Sequence, residues 1–102
     1  MIADLRPEVL IFACAMEKKL RENDHKGGWD NSLSSWLFYR LGEEINELKT
    51  AKNAYINAID PLTSTHEQLK PYRKAILDEC VDVANFSMMI ASVCRALDEA
   101  NP

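Results

Sequence analysis

The chain has 102 residues, 47% of them hydrophobic and 27% charged, the balance of one soluble globular domain rather than of a disordered or fibrous segment. With 12 basic against 16 acidic side chains, a net charge of −4 and a pI near 5.1, it lacks the basic surface that would grip a nucleic acid polymer or an anionic membrane. The longest strongly apolar run, Val9 to Met16, falls far short of the roughly 20 residues that span a bilayer and has no cleavage-like site after it, so a cytoplasmic protein is expected.

Only three glycines and four prolines interrupt the chain, which argues against a many-turned sandwich or barrel and for long helices. Asp4 is placed to cap a first helix over about residues 5–23, with Pro7 in its first turn and Val9, Phe12, Met16 and Leu20 recurring at helical intervals. That helix stops in Asn23-Asp24-His25-Lys26-Gly27-Gly28, where paired glycines break regular structure. A second helix is expected to start between residues 32 and 35 and to run to about Asn57, ended by Asp60-Pro61. Leu62 to Pro71 then reads as a connection with one short helical turn over 65–69, and the last and longest helix runs from Pro71 or Tyr72 to about Glu99. No repeat or linker divides the chain, so residues 1–102 are expected to form a single all-α domain, an antiparallel bundle of three main helices plus the short one. Cys14, Cys80 and Cys94 are an odd set with no C-x-x-C pair, and read as small hydrophobes buried in a reducing compartment.

The two long helices each carry an apolar seam with an acidic residue inside it. Alternating steps of four and three give Leu37, Leu41, Glu44, Leu48, Ala51 and Tyr55 on the second helix. The last helix gives Ile76, Glu79, Val83, Phe86, Ile90, Val93 and Leu97. Each inward glutamate has an acidic neighbour three residues on, Glu47 after Glu44 and Asp82 after Glu79, and such positions project within about 60° of each other. Packed side by side, the helices would gather four carboxylates with few basic residues at hand, since Lys49 and Lys52 are displaced along the second helix and Arg73 and Lys74 precede Glu79 by more than a turn. Burying such a group costs several kcal/mol unless a cation offsets it, and an all-oxygen cluster suits Mg²⁺, with Mn²⁺ as a substitute. A solvated Glu-rich face is the ordinary alternative for any single pair; with two pairs at two seam breaks, spacing alone weighs equally for a metal and for a solvated face. A di-iron bundle needs Glu-x-x-His on two helices, and neither His25 nor His66 is read as part of such a pair.

Glu43-Glu44-Ile45-Asn46-Glu47, followed by Glu79-Cys80-Val81-Asp82, resembles the EExxE…ExxD signature of the MazG-like superfamily of all-α nucleoside triphosphate pyrophosphohydrolases. The 31 residues between Glu47 and Glu79 are somewhat long for that pattern and place an insertion around Asp60 to Pro71. The flanks, Phe12 to Glu17 with Lys19-Leu20, His25 to Trp29, Trp36-Leu37 and Asp82 to Ile90, are similar to small members common in phages and prophages, so the resemblance spans about residues 9–95. It implies a Mg²⁺-dependent hydrolase that splits a nucleoside triphosphate, most naturally a deoxynucleotide, into the monophosphate and pyrophosphate for pool control or house-cleaning. On that resemblance Glu44, Glu47, Glu79 and Asp82 hold the metal, and Glu43 or Glu47 orients or deprotonates the attacking water, Glu47 being read as a ligand and Glu43 as its support.

Substrate contacts carry paired readings. Lys26 beside Gly27-Gly28 either reaches the triphosphate or is a solvated loop lysine. Trp29 stacks on a base or closes the core under the loop, and Asn85 bonds a base or sugar edge or merely orients Asp82. Asn23, at the end of the first helix, is a further candidate. Three helices of this length bury little surface alone, and Met88, Met89 and Cys94 lie off the seam of the last helix, so a homodimer or homotetramer is expected. The alternative to the enzyme is a non-catalytic helical interaction or regulatory module that retains the fold.

Overall fold

The computed structural model describes residues 4–60, 62 and 64–100, in which every regular element is helical and no strand occurs. In chain order these are α1 (Pro7–Glu22), a 3₁₀ turn (Asp24–Lys26), α2 (Ser34–Ala58), α3 (His66–Val93) and a closing 3₁₀ stretch (Ala96–Ala100). Pro7 opens α1, as its fixed φ allows, but the cap position belongs to Arg6 and has no side-chain hydrogen bond, so Asp4 is not the cap expected of it. Among the described residues no helix is long and apolar enough to cross a membrane.

The start of the last helix differs from the sequence expectation. The turn over 65–69 is not separate; it is the first turn of α3. Thr65 caps that turn reciprocally with Gln68: the Gln68 N–H donates to Thr65 Oγ1 at 3.1 Å and the Thr65 N–H to Gln68 Oε1 at 2.9 Å. Pro71 therefore sits inside the helix and costs it one backbone bond, while Arg73 reaches back to donate to the His66 carbonyl at 2.5 Å. Replacing Thr65 with Ala is expected to cost about 1 kcal/mol, read as a lower midpoint in denaturant with an unchanged m-value.

The other end is also shorter than expected. α3 stops at Val93 rather than near Glu99 because Arg95 turns into the left-handed region at φ 68°, and its guanidinium folds onto Asp98 at 2.7 to 2.8 Å. A glycine is the usual residue at such a reversal, so the sequence lacks the ordinary stop signal.

α3 is the hub. It runs antiparallel to α2, bringing Arg40 over Phe86 and Glu44 and Glu47 to Asp82 and Glu79. It also runs antiparallel to α1, where Asn85 meets Met16 and Asp82 meets Lys19. Among the described residues α1 and α2 do not pack on each other. The seams lie as expected, with Leu37 and Glu44 buried and the remaining seam positions half-buried, except Leu97 beyond the end of α3. The core of one chain is nevertheless thin. Leu37 and Val81 are its only buried apolar side chains among the described residues. Cys14 and Cys94 are exposed and Cys80 half-buried, which overturns their expected burial.

Candidate metal centre and adjoining cavity

The α2/α3 register gathers the two acidic pairs. One oxygen from each of Glu44, Glu47, Glu79 and Asp82 lies within 4.8 Å of the others. Two oxygens on opposite sides of a divalent cation stand about 4–5 Å apart, so the cluster has the dimensions of a cation site. Glu44 is the buried member, at 5% exposure, Glu79 and Asp82 are half-buried, and Glu47 is open to solvent.

Two cations that the sequence reading did not weigh share this charge. Arg40, one turn before Glu44 on the same face of α2, donates to Glu44 Oε1 at 2.8 Å and to Glu43 Oε1 at 2.6 Å, and its guanidinium lies 5.1 Å from the centre of the Phe86 ring. Lys19 of α1 reaches Asp82 Oδ1 at 3.7 Å. The first was legible as an i, i+4 pair; the second depends on how α1 docks and had no local signal. Glu43 is thus engaged by Arg40, and it stands outside the four-carboxylate group.

These two cations do not complete the site. Glu44 Oε2 and Glu79 Oε2 are both buried with no hydrogen-bond donor. Burial raises the Glu44 carboxyl to about 7; a proton held against Glu47 and the charges of Glu47 and Asp82 add to this, and Arg40 opposes it. Glu79 is likewise raised, by burial first and then by the charges of Glu47 and Asp82. Asp82 is raised by burial, against the pull of Lys19. Arg40 is held more firmly protonated, chiefly through its bond to Glu43. Orphaned, crowded carboxylate oxygens of this kind fit a hard divalent cation, which would satisfy them where two side-chain cations have not. The cluster can therefore hold a metal ion.

Beside it lies a cavity of about 420 Å³, bordered by Glu44 and Asp82. It brings together the four residues singled out as substrate contacts: Asn23, Lys26, Trp29 and Asn85 all line it. Lys19, Arg40, Trp36 and Phe86, which the sequence reading had not assigned to it, line it too. Asn85 is 3% exposed, and its Nδ2 donates to the Met16 carbonyl at 3.3 Å. That bond fixes the amide and leaves Oδ1 as a buried acceptor without a partner. Trp29 Nε1 is a buried donor without one. Gly27, at φ 90°, turns the chain out of the 3₁₀ turn so that Lys26 and Trp29 flank the same opening. Glu22 does stand three residues before His25, the spacing of half a di-iron motif, but His25 is exposed on the 3₁₀ turn and outside the acidic group.

No protein-family model matches the chain, and neither a curated protein nor a solved structure matches it.

Proposed function

We propose that the protein is a Mg²⁺-dependent nucleoside triphosphate pyrophosphohydrolase that releases pyrophosphate and a nucleoside monophosphate, acting on deoxynucleotides. The observation that carries this reading is the meeting of four carboxylates, two of them with orphaned buried oxygens, at the edge of a cavity walled by lysines, aromatic rings and a fixed amide. Acid clusters repel a triphosphate unless a cation intervenes, so an anionic substrate and this site are compatible only through metal. The choice of a nucleotide rests on the similarity of Glu43, Glu44 and Glu47, then Glu79 and Asp82, to the MazG-like signature, and on the cavity.

Glu44, Glu47, Glu79 and Asp82 would hold the ion, which when bound neutralises triphosphate oxygens and makes a nearby water more acidic. Glu47, exposed at the mouth of the cluster, orients the water and accepts its proton on a carboxylate oxygen. The water oxygen bonds to the α-phosphorus, the bond from that phosphorus to the bridging oxygen breaks, and pyrophosphate leaves. Glu43 keeps Arg40 against Glu44 instead of acting on water. Lys26 and Lys19 face the phosphates, Trp29 stacks on the base, and Asn85 and Asn23 bond its edge or the sugar.

The test is pyrophosphate release from a panel of canonical and modified deoxynucleoside and ribonucleoside triphosphates with Mg²⁺, with Mn²⁺ and with EDTA. Turnover of one or a few deoxynucleotides that EDTA abolishes is the expected result. A folded, metal-loaded protein silent on the whole panel would instead be an interaction module that keeps the fold.

A further inference from the structure

α1 is fastened to the bundle through the site itself. None of its residues is buried, and among the described residues it packs on α3 and not on α2. Two polar bonds tie it to the other helices among those residues: the Met16 carbonyl accepts from Asn85 Nδ2 at 3.3 Å, and Lys19 Nζ stands 3.7 Å from Asp82 Oδ1. Asp82 and Asn85 lie one turn apart on α3, and both belong to the site, Asp82 as a member of the acid cluster and Asn85 as a wall of the cavity. Whatever binds Asp82 therefore competes with one of the two fastenings of α1.

The two side-chain cations of the cluster are not held alike. Arg40 bonds Glu43 at 2.6 Å and Glu44 at 2.8 Å and lies 5.1 Å from the centre of the Phe86 ring, so the loss of one carboxylate leaves it in place. Lys19 has one carboxylate, at 3.7 Å, well beyond the roughly 2.7–2.9 Å of a close charge-assisted bond, and its side chain is 40% exposed. An ammonium at that range on a flexible stem is a loose counter-ion. It also has room to leave, because Lys19 borders both the cavity of about 420 Å³ and a second one of about 260 Å³ between α1 and α3, beside Glu22 and Asp78.

We propose that Lys19 is an exchangeable counter-ion and the latch of α1: a divalent cation taken up by the four carboxylates drives Lys19 off Asp82, and α1 loosens from α3 as the metal binds. This rests on the reading of the acid cluster as a metal site and is independent of any nucleotide. One ammonium offsets one of four carboxylates, whereas a divalent ion among them attracts Asp82 more strongly and repels the ammonium. Arg40 stays, held by Glu43. The bond from Asn85 to Met16 is then the one polar fastening left to α1 among the described residues. A helix of 16 residues off its partner is marginal in water, so the loosening shows as faster exchange of its amides.

Amide hydrogen exchange of the full chain, metal-free and saturated with Mn²⁺, tests the latch, with calorimetric Mn²⁺ titration beside it. Metal is expected to speed exchange over residues 16–22 about tenfold while slowing it around Glu44 and Glu79. Lys19→Met, which keeps an apolar stem and removes the charge, is expected to bind Mn²⁺ about tenfold more tightly. Without metal it is expected to exchange over residues 16–22 as fast as the wild type does with metal. A Lys19 that merely packed α1 would loosen the helix without tightening the metal. Lys18→Met, at the exposed neighbouring position, is expected to change neither reading. Should Lys19→Met fail to fold, the two wild-type exchange maps decide alone. Mn²⁺ uptake with exchange over residues 16–22 unchanged or slower, or a folded Lys19→Met that binds Mn²⁺ no more tightly than the wild type, overturns the latch and leaves the metal site standing. No uptake of Mn²⁺ by the wild type overturns both.

Discussion

Freed of divalent cations, the protein is expected to melt at a higher temperature at pH 5 than at pH 8. The cause is the Glu44 carboxyl, which burial and the neighbouring Glu47 raise from 4.5 to about 7 in the folded chain. Between those two values the folded state binds more protons than the unfolded one, so stability falls as pH rises through the window. Well above pH 7 the full cost of ionising a buried Glu44 is present, about 3 kcal/mol, and at pH 5 about three quarters of it is relieved. For a domain of this size each kcal/mol moves the melting temperature by about 4–8 °C, so a difference of about 10 °C is expected. Glu79 and Asp82, raised in the same direction, add to it. Glu44→Gln is expected to raise the metal-free melting temperature at pH 8 and flatten the pH dependence, because the amide has the same shape and no charge to desolvate. Saturating Mg²⁺ should reverse the trend for the wild type, since a metal binds carboxylates only when they have lost their protons. A metal-free protein equally stable at both pH values would mean that the folded chain stores no carboxylate repulsion, and the metal-site reading would fall with it.

The origin of that repulsion could be read from spacing. A heptad seam expects an apolar residue and finds Glu44, and the same break recurs at Glu79, so two helices that pack through their seams must bring acid to acid. Arg40 was readable too, four residues before Glu44, and the i, i+4 rule would have found it. Lys19 was not, because its approach to Asp82 depends on how α1 docks on α3 across more than 60 residues of chain. Both ends of α3 were misplaced for local reasons. Pro71 looks like a first-turn proline, and it concealed the capping box that Thr65 and Gln68 form one and a half turns earlier. Arg95 occupies a left-handed position with no glycine to announce it. The exposed cysteines share one further cause. Apolar neighbours at helical spacing argue for burial of Cys14 and Cys94, but Leu10 and Ile11 beside Cys14 and Leu97 beside Cys94 are themselves exposed.

Glu79→Gln and Asp82→Asn are each expected to lower Mg²⁺ affinity and to reduce pyrophosphate release at least a thousandfold, while Glu43→Gln costs no more than about tenfold. A thousandfold corresponds to about 4 kcal/mol of transition-state stabilisation, within the several kcal/mol that a metal supplies to developing charge on phosphate. Glu79 and Asp82 contribute oxygens to the cluster, and Glu79 Oε2 has no hydrogen-bond partner, so an amide there removes the charge and one of the two oxygens able to ligate. Glu43 lies on Arg40, at 2.6 Å, and its loss leaves Arg40 still bound to Glu44 at 2.8 Å. Affinity is measured by calorimetric titration of the nucleotide-free protein with Mn²⁺ and Mg²⁺, and activity by pyrophosphate release at saturating metal, so that binding and chemistry are separated. If Glu43→Gln abolished pyrophosphate release with metal affinity intact, the proton of the attacking water would pass to Glu43 and not to Glu47. If Glu79→Gln and Asp82→Asn bound metal as tightly as the wild type, the metal would be held elsewhere and the orphaned Glu44 and Glu79 oxygens would have some other occupant.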